Sequence, residues 1–319
     1  MKKIIGYNIL IVALIITLLE ISLRLFSSIN ELGYQENLFK KDSKITLHNT
    51  NIESVVFGKK VFTDNYGFRV PYKKYEYNNL SNQGILILGD SVSFGVGVNE
   101  EETFIGQIRK KHSTVNIFNT SVSGHNSSDH ANLLQFYYDN IKFDKVIIFY
   151  CLNDIISLPG VVTNKSAYKQ NFFLSKINIF LRNKSFIYIF LKSKFTDPEK
   201  RYHDYILPLY KNEKSINFTS RAFNKISEFS KNYNLDLTVV ILPYKYQVKE
   251  NSCTREHLLP QNIIIKIFKL NNIKYYDLTN DFCENGQNSL FLKYDPVHLS
   301  RNGHMLVYNK IDKLLKFDN

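Results

Sequence analysis

The chain reads as an α/β protein: a three-layer α/β/α sandwich built on a mainly parallel sheet of five strands. Short apolar runs of strand length recur beyond residue 81, at 85–88, 115–118, 146–150, 237–242 and 274–276. Helix-like stretches separate them near 101–111, 128–140, 217–232 and 259–271, and a last one runs over 301–316. The runs are apolar on both faces, which suits central parallel strands covered by helices on either side. Alternation of strand and helix argues for a doubly wound sheet. In such a sheet ligands bind beyond the carboxyl ends of the strands, so chemistry is expected in the loops that leave those ends.

Ahead of the first of these strands lie two other regions. Residues 4–19 are almost entirely apolar, behind Lys2 and Lys3 and ahead of Glu20 and Arg24. The run extends to Phe26 only by including those two charges. A span takes about 20 apolar residues, with a lower limit of roughly 17, so Glu20 and Arg24 are expected at the far interface. Two lysines before the run predict a cytoplasmic amino terminus and an extracytoplasmic remainder. With no small-x-small cleavage site and no lipobox cysteine after the run, an uncleaved anchor over 1–26 is expected rather than a signal peptide. Residues 27–80 are polar and irregular, with a turn at Asn65-Tyr66-Gly67 and a short strand at Val61 and Phe62. They read as a membrane-proximal extension packed on the main domain, which spans 81–319.

Residues 156–216 interrupt the alternation as an insertion. Its segment 176–195 has helical length, with Lys and Arg among apolar residues. Three readings stay open for it: a lid over the site, a helix lying on the membrane surface, or an amphipathic helix packed on the domain.

With 319 residues, 44% hydrophobic and 22% charged, the chain is globular in composition. Its net charge is +12. The lysines are scattered, and no helix–turn–helix, zinc finger or Arg-rich stripe is present, so nucleic acid is not expected as a partner. The three cysteines, Cys151, Cys253 and Cys283, form no Cys-x-x-Cys or Cys/His cluster. No metal site and no cofactor are therefore expected. Outside the cytoplasm Cys253 and Cys283 are candidates to pair, leaving Cys151 as a small buried residue; three free thiols are the alternative.

Four strand-end loops carry chemistry. Gly89-Asp90-Ser91 follows the first strand. Ser91 is the candidate nucleophile, and a serine hydroxyl needs a base to take its proton. Asn119 to Gly124 follow the second strand, and Cys151-Leu152-Asn153-Asp154 the third. Asp295-Pro296-Val297-His298 precedes the last helix and supplies a candidate base, His298, with a carboxylate, Asp295, to fix its tautomer. The backbone N–H groups of Ser91 and Gly124 and the Asn153 amide are candidate donors to an oxyanion.

In this order the four loops resemble the blocks of the SGNH/GDSL hydrolase superfamily, over roughly residues 61–312. Asn65-Tyr66-Gly67-Phe68-Arg69 is similar to the lead-in of its membrane-anchored bacterial members. The resemblance implies the flavodoxin-like fold of that superfamily. It implies Ser91 as nucleophile and oxyanion donor, Gly124 and Asn153 as further donors, His298 as base and Asp295 as its partner. It also implies an esterase or acyltransferase, acting on acetyl groups of cell-surface carbohydrate in the envelope. A lipase or lysophospholipase acting on lipid esters is the alternative within the same chemistry. The family's third block usually opens on glycine, where this chain has Cys151. That departure predicts a narrowed pocket or a displaced Asn153, and it supports a third reading, an envelope binding or assembly factor with a decayed site.

Overall fold

The computed structural model describes residues 2–26, 35–40, 45–78, 84–156, 177, 180–181, 184–249, 255–285, 287–293 and 295–314. The chain divides into two compact units. One comprises Met1–Tyr34, Val56–Gly58 and Thr163–Asp197, and the other Gln35–Val55, Lys59–Val162 and Pro198–Asn319.

In the first unit, helix Lys2–Phe26 carries the apolar run. Over Lys3–Leu25 it is long and apolar enough to cross a membrane, with its side chains exposed. A second helix, Phe186–Phe195, starts at Ser185, whose Oγ accepts from the Tyr188 N–H at 3.2 Å. The expected continuous helix over 176–195 is therefore broken at Ser185, because a serine N-cap holds extended backbone. Much of 176–183 lies outside the described residues.

The second unit holds the sheets, save Val56 at the end of the first strand. Strands β1 (Glu53–Val56), β2 (Lys59–Thr63) and β3 (Arg69–Val70) form a small sheet in that order, with β2 and β3 antiparallel. The main sheet contains β4 (Gly84–Gly89), β5 (Asn116–Asn119), β6 (Lys145–Cys151), β7 (Asp236–Leu242) and β8 (Lys274–Asp277). Its spatial order is β5-β4-β6-β7-β8, and all four pairings are parallel. Numbered along the chain, that is the order 2-1-3-4-5, with its switch point between β4 and β6. Every residue of β4 is buried, as an apolar run with both faces covered requires. Helices Phe104–Lys111 and Arg301–Leu314 pack together on one face; helices Ser127–Tyr138, Glu213–Asn232 and Leu259–Leu270 form the layer on the other.

Two helix starts differ from the sequence pattern, and each has a cap. The Asn212 side chain accepts from Ser215 N at 3.2 Å, so that helix begins at Glu213 rather than near 217. Thr103 accepts from Gly106 N at 2.9 Å, which starts the next helix at Phe104 and leaves Glu100–Glu102 as a 3-10 turn. Of the cysteines, Cys151 is free and buried and Cys283 is disulfide-bonded. Cys253 lies outside the described residues.

Candidate active site

The first site element is the exit from β4. Asp90 caps the short helix Ser91–Phe94 through Oδ1, which accepts from the Val92 N–H at 2.9 Å. This turn lifts Ser91 onto the sheet's carboxyl edge, where it is 9% exposed. The last site element is the loop before helix Arg301–Leu314. It is held by a bridge between Phe291 and Leu299 and by the Leu292 N–H on the His298 carbonyl at 2.9 Å. The Lys245 N–H, from the loop after β7, donates to the Pro296 carbonyl at 3.1 Å and ties the two loops together.

Ser91, His298 and Asp295 meet in one hydrogen-bonded line. Ser91 Oγ lies 2.9 Å from His298 Nε2, and His298 Nδ1 lies 2.7 Å from Asp295 Oδ2. Asp295 Oδ1 accepts from the N–H groups of Val297 and His298, each at 2.8 Å, so the carboxylate is fixed by its own loop. Burial works against the charged imidazole, but the Asp295 charge and hydrogen bond outweigh it and raise His298 above its ordinary 6.5. Burial likewise works against the Asp295 carboxylate, and the His298 charge with three hydrogen bonds holds it below 3.8. The pair therefore favours a carboxylate facing the Nδ1–H of the imidazole, which leaves Nε2 to accept the Ser91 proton.

The donor groups sit around Ser91. The Ser91 and Gly124 N–H groups have no backbone acceptor among the described residues. Gly124 takes φ +85°, a conformation that favours glycine, and a side chain there would point into open space. Its loop is tied to the end of β4 by the Val122 N–H on the Gly89 carbonyl at 3.2 Å. Asn153 stands in the 3-10 turn Leu152–Ile155 after β6. Its Nδ2 donates to Asp90 Oδ2 at 2.9 Å, and its Oδ1 accepts from Tyr244 O–H at 2.9 Å. An amide nitrogen has two hydrogens, so one remains for a ligand beside Ser91. Tyr202 hydrogen-bonds to Tyr244 in turn, with their ring centroids 5.2 Å apart.

Cys151 is not displaced into this space. It takes the N-cap position of the turn that carries Asn153, is 1% exposed, and its backbone N–H donates to Asp154 Oδ2 at 3.1 Å. From this turn Asn153 Nδ2 reaches Asp90 Oδ2 at 2.9 Å. Burial, with the charges of Asp90 and Asp154, pushes the Cys151 thiol well above its ordinary range, which makes it a poor nucleophile. Asp154 Oδ2 also lies 3.0 Å from His130 Nε2, both groups fully buried. Burial raises the Asp154 pKa and lowers His130 to about 4, so burial works against charge on both groups behind the turn.

A second support comes from Arg69, 1% exposed. Its Nη1 donates to the carbonyls of Phe94 at 2.5 Å and Gly95 at 2.6 Å, and its Nη2 to Val98 at 2.7 Å. One guanidinium thus satisfies three carbonyls of the segment that leaves the Ser91 helix. Burial and the nearby Arg109 lower its pKa to about 9, which still leaves it charged at neutral pH.

Every predicted catalytic residue falls in this cluster, with Gly124 placed by its loop rather than by a bond to the others. Sequence reasoning missed the support roles of Asp90, Arg69 and Tyr244, and all of Tyr202. Tyr244 carried a signal, since it follows the carboxyl end of β7 by two residues. Among the described residues no cluster of His, Cys, Asp and Glu is arranged to hold a metal.

No sequence-family profile matches the chain, and no curated protein sequence matches it. Solved structures do resemble it. An acetyl xylan esterase is 16% identical with a TM-score of 0.44, over 72% of this chain and 99% of its own. A psychrotrophic esterase from Pseudoalteromonas sp. is 14% identical with a TM-score of 0.45, over 74% and 97%. An acetylxylan esterase from Geobacillus stearothermophilus is 16% identical with a TM-score of 0.42, over 74% and 95%. Likeness at this level carries no function across, and the triad geometry stands independently of it.

Proposed function

We propose that the chain is a serine esterase or acyltransferase of the SGNH type, anchored by its amino-terminal helix and working on the outer side of the membrane. The observation that carries this reading is the line from Ser91 Oγ through His298 to Asp295, at 2.9 and 2.7 Å. Ser91 Oγ attacks the ester carbonyl carbon while His298 Nε2 takes its proton. The carbonyl oxygen becomes an oxyanion, met by the N–H groups of Ser91 and Gly124 and the free Asn153 amide hydrogen. The intermediate collapses, the alcohol departs with the proton from His298, and the acyl group stays on Ser91. Water or a sugar hydroxyl then gives its proton to His298 and attacks the acyl carbon, and as the acyl–Oγ bond breaks His298 returns that proton to Ser91 Oγ. Asp295 accepts the Nδ1–H hydrogen bond without taking the proton, fixing the ring and stabilising the imidazolium.

The substrate class we favour is O-acetyl carbohydrate of the cell surface, which the resemblance of the four strand-end loops to the SGNH blocks implies. The apolar helix Phe186–Phe195 favours a second reading, a lysophospholipase. Ester length separates the two. Purified protein should cleave p-nitrophenyl acetate faster than the octanoate or palmitate ester, and should release acetate from acetylated xylan. Preference for the palmitate ester, or for lysophosphatidylcholine, would replace the carbohydrate reading with the lipid one. Acetyl transfer to an added oligosaccharide, in excess of hydrolysis, would identify a transferase. The intact triad speaks against a decayed binding factor, and absence of hydrolysis and of transfer would restore that reading.

A further inference from the structure

The only charged side chains between Lys3 and Phe26 are Glu20 and Arg24, and both are engaged by the start of helix Phe186–Phe195. Glu20 Oε1 accepts from the Phe186 N–H at 2.9 Å, and Oε2 accepts from the Ile187 N–H at 3.0 Å and from Ser185 Oγ at 3.1 Å. Arg24 pairs with Glu20 at 2.8 Å and donates to the Lys184 carbonyl at 2.6 Å. Its guanidinium stands 4.7 Å from the centre of the Phe186 ring. Glu20 thus acts as the cap of a helix from far along the chain: a carboxylate facing the unpaired N–H groups and positive dipole end of a helix start.

Depth follows from length. Residues 4–19 rise about 24 Å at 1.5 Å per residue, short of a hydrocarbon core of about 30 Å. The turn holding Glu20 and Arg24 must then sit at or just inside the outer boundary. Charges there are costly unless paired and hydrogen-bonded, and the start of Phe186–Phe195 supplies those bonds. Because it is bonded to Glu20, that start lies at the same depth. The helix reads Phe-Ile-Tyr-Ile-Phe-Leu-Lys-Ser-Lys-Phe, with Leu191 45% and Phe195 83% exposed. Such side chains suit acyl chains, while Lys192 and Lys194 near its end suit lipid phosphates. Tyr188 fits the aromatic belt found at membrane interfaces.

We propose that helix Phe186–Phe195 is an interfacial helix seated in the outer leaflet of the membrane that the amino-terminal helix crosses, pinned to that helix by Glu20 and Arg24. The proposal rests on the anchor reading above. Its occupant is the lipid bilayer itself, and its consequence is a second membrane attachment for the chain, made by the insertion.

The chain contains no tryptophan, so one introduced tryptophan reports its own surroundings. Full-length Leu191→Trp, Phe195→Trp and Leu10→Trp proteins are reconstituted in vesicles of phosphatidylcholine and phosphatidylglycerol in equal parts. Emission, quenching by brominated lipid chains and quenching by aqueous acrylamide are then read. Leu10→Trp marks the middle of the span. The proposal expects blue-shifted emission from Leu191→Trp, strong quenching by bromines close to the carbonyl end of the chains, and weak quenching by acrylamide. An apolar face about 5–10 Å into the boundary gives that depth. Adding Glu20→Ala to Leu191→Trp should shift emission to the red and lose the bromine quenching, while Leu10→Trp with Glu20→Ala keeps its own. If Leu10→Trp is quenched by lipid but Leu191→Trp and Phe195→Trp are quenched by acrylamide, the interfacial helix is overturned and the anchor stands. If Leu10→Trp is not quenched by lipid, the anchor reading falls and takes the proposal with it. Lipid quenching of Leu191→Trp that survives Glu20→Ala unchanged would overturn the pinning role.

Discussion

Removing one hydroxyl, in Tyr244→Phe, tests how the oxyanion donor is aimed. Tyr244 is 1% exposed and touches the chemistry only through Asn153 Oδ1, at 2.9 Å. Without that bond the acceptor is left unpaired, at a cost of about 1–3 kcal/mol. If all of that cost fell on the transition state, kcat would drop about 5- to 150-fold at 1.36 kcal/mol per decade. It will not all fall there, because Asp90 still receives Asn153 Nδ2 at 2.9 Å and resists an amide flip. The expected loss is therefore about tenfold in kcat with little change in KM. Asn153→Ala deletes the donor itself and should cost about 10²–10³-fold. The assay is steady-state hydrolysis of p-nitrophenyl acetate by the two single variants and the double variant. Since Tyr244 acts through Asn153, the double variant should be no slower than Asn153→Ala alone. Fully multiplied losses, or a Tyr244→Phe protein slower than Asn153→Ala, would refute this division of labour.

Other changes follow from the same geometry. Asp295→Asn should lower kcat about 10⁴-fold by losing the tautomer. Activity rises with pH as His298 loses its proton, so the acid limb of kcat/KM should lie above 6.5 in the parent and move down in this variant, where burial is opposed only by the Asp90 charge. The stability from raised His298 is full below 6.5 and lost as pH rises through its folded value, so the urea-midpoint gap between parent and Asp295→Asn should narrow toward alkaline pH. Arg69→Met removes three hydrogen bonds and leaves the Phe94 and Val98 carbonyls without the guanidinium, while Gly95 keeps the Val98 N–H at 3.4 Å; a loss of about 3 kcal/mol is expected, read as a fall in Tm of about 6–12 °C. Arg69→Lys should recover only part of it, because an ammonium lacks the planar fork, and an unchanged Tm would show that the three bonds contribute nothing. Cys151→Ala should hydrolyse p-nitrophenyl acetate within about twofold of the parent, since its buried thiol is not the nucleophile; a large loss would place the sulfur in the chemistry.

The central strands were legible because both faces of a parallel sheet are buried, so β4, β6 and β7 are nearly continuous apolar runs in the sequence. The site was legible for a related reason: a parallel sheet sends its carboxyl ends to one edge, and four loops with chemistry all leave that edge. Strands β1 to β3 were harder to see. β2 is half-exposed and rich in lysine, and β3 is two residues long. Arg69 reads as an ordinary polar loop residue in sequence, since its burial depends on three carbonyls supplied more than twenty residues later. Glu20 and Arg24 read as interfacial charges, and their partners at 184–187 belong to a segment that sequence periodicity alone left with three open readings. Cys151 was read through the glycine it replaces, whereas its backbone geometry shows a residue at the N-cap of a turn.

The most direct test of the central claim is covalent. A fluorophosphonate probe forms a bond only with a serine whose proton a base removes, so it reads Ser91 and His298 together. The purified chain should label at Ser91, identified by peptide mass, with labelling lost in Ser91→Ala and strongly slowed in His298→Ala. Failure of the folded parent to label, or labelling that persists in Ser91→Ala, would contradict the assignment of Ser91 as an activated nucleophile.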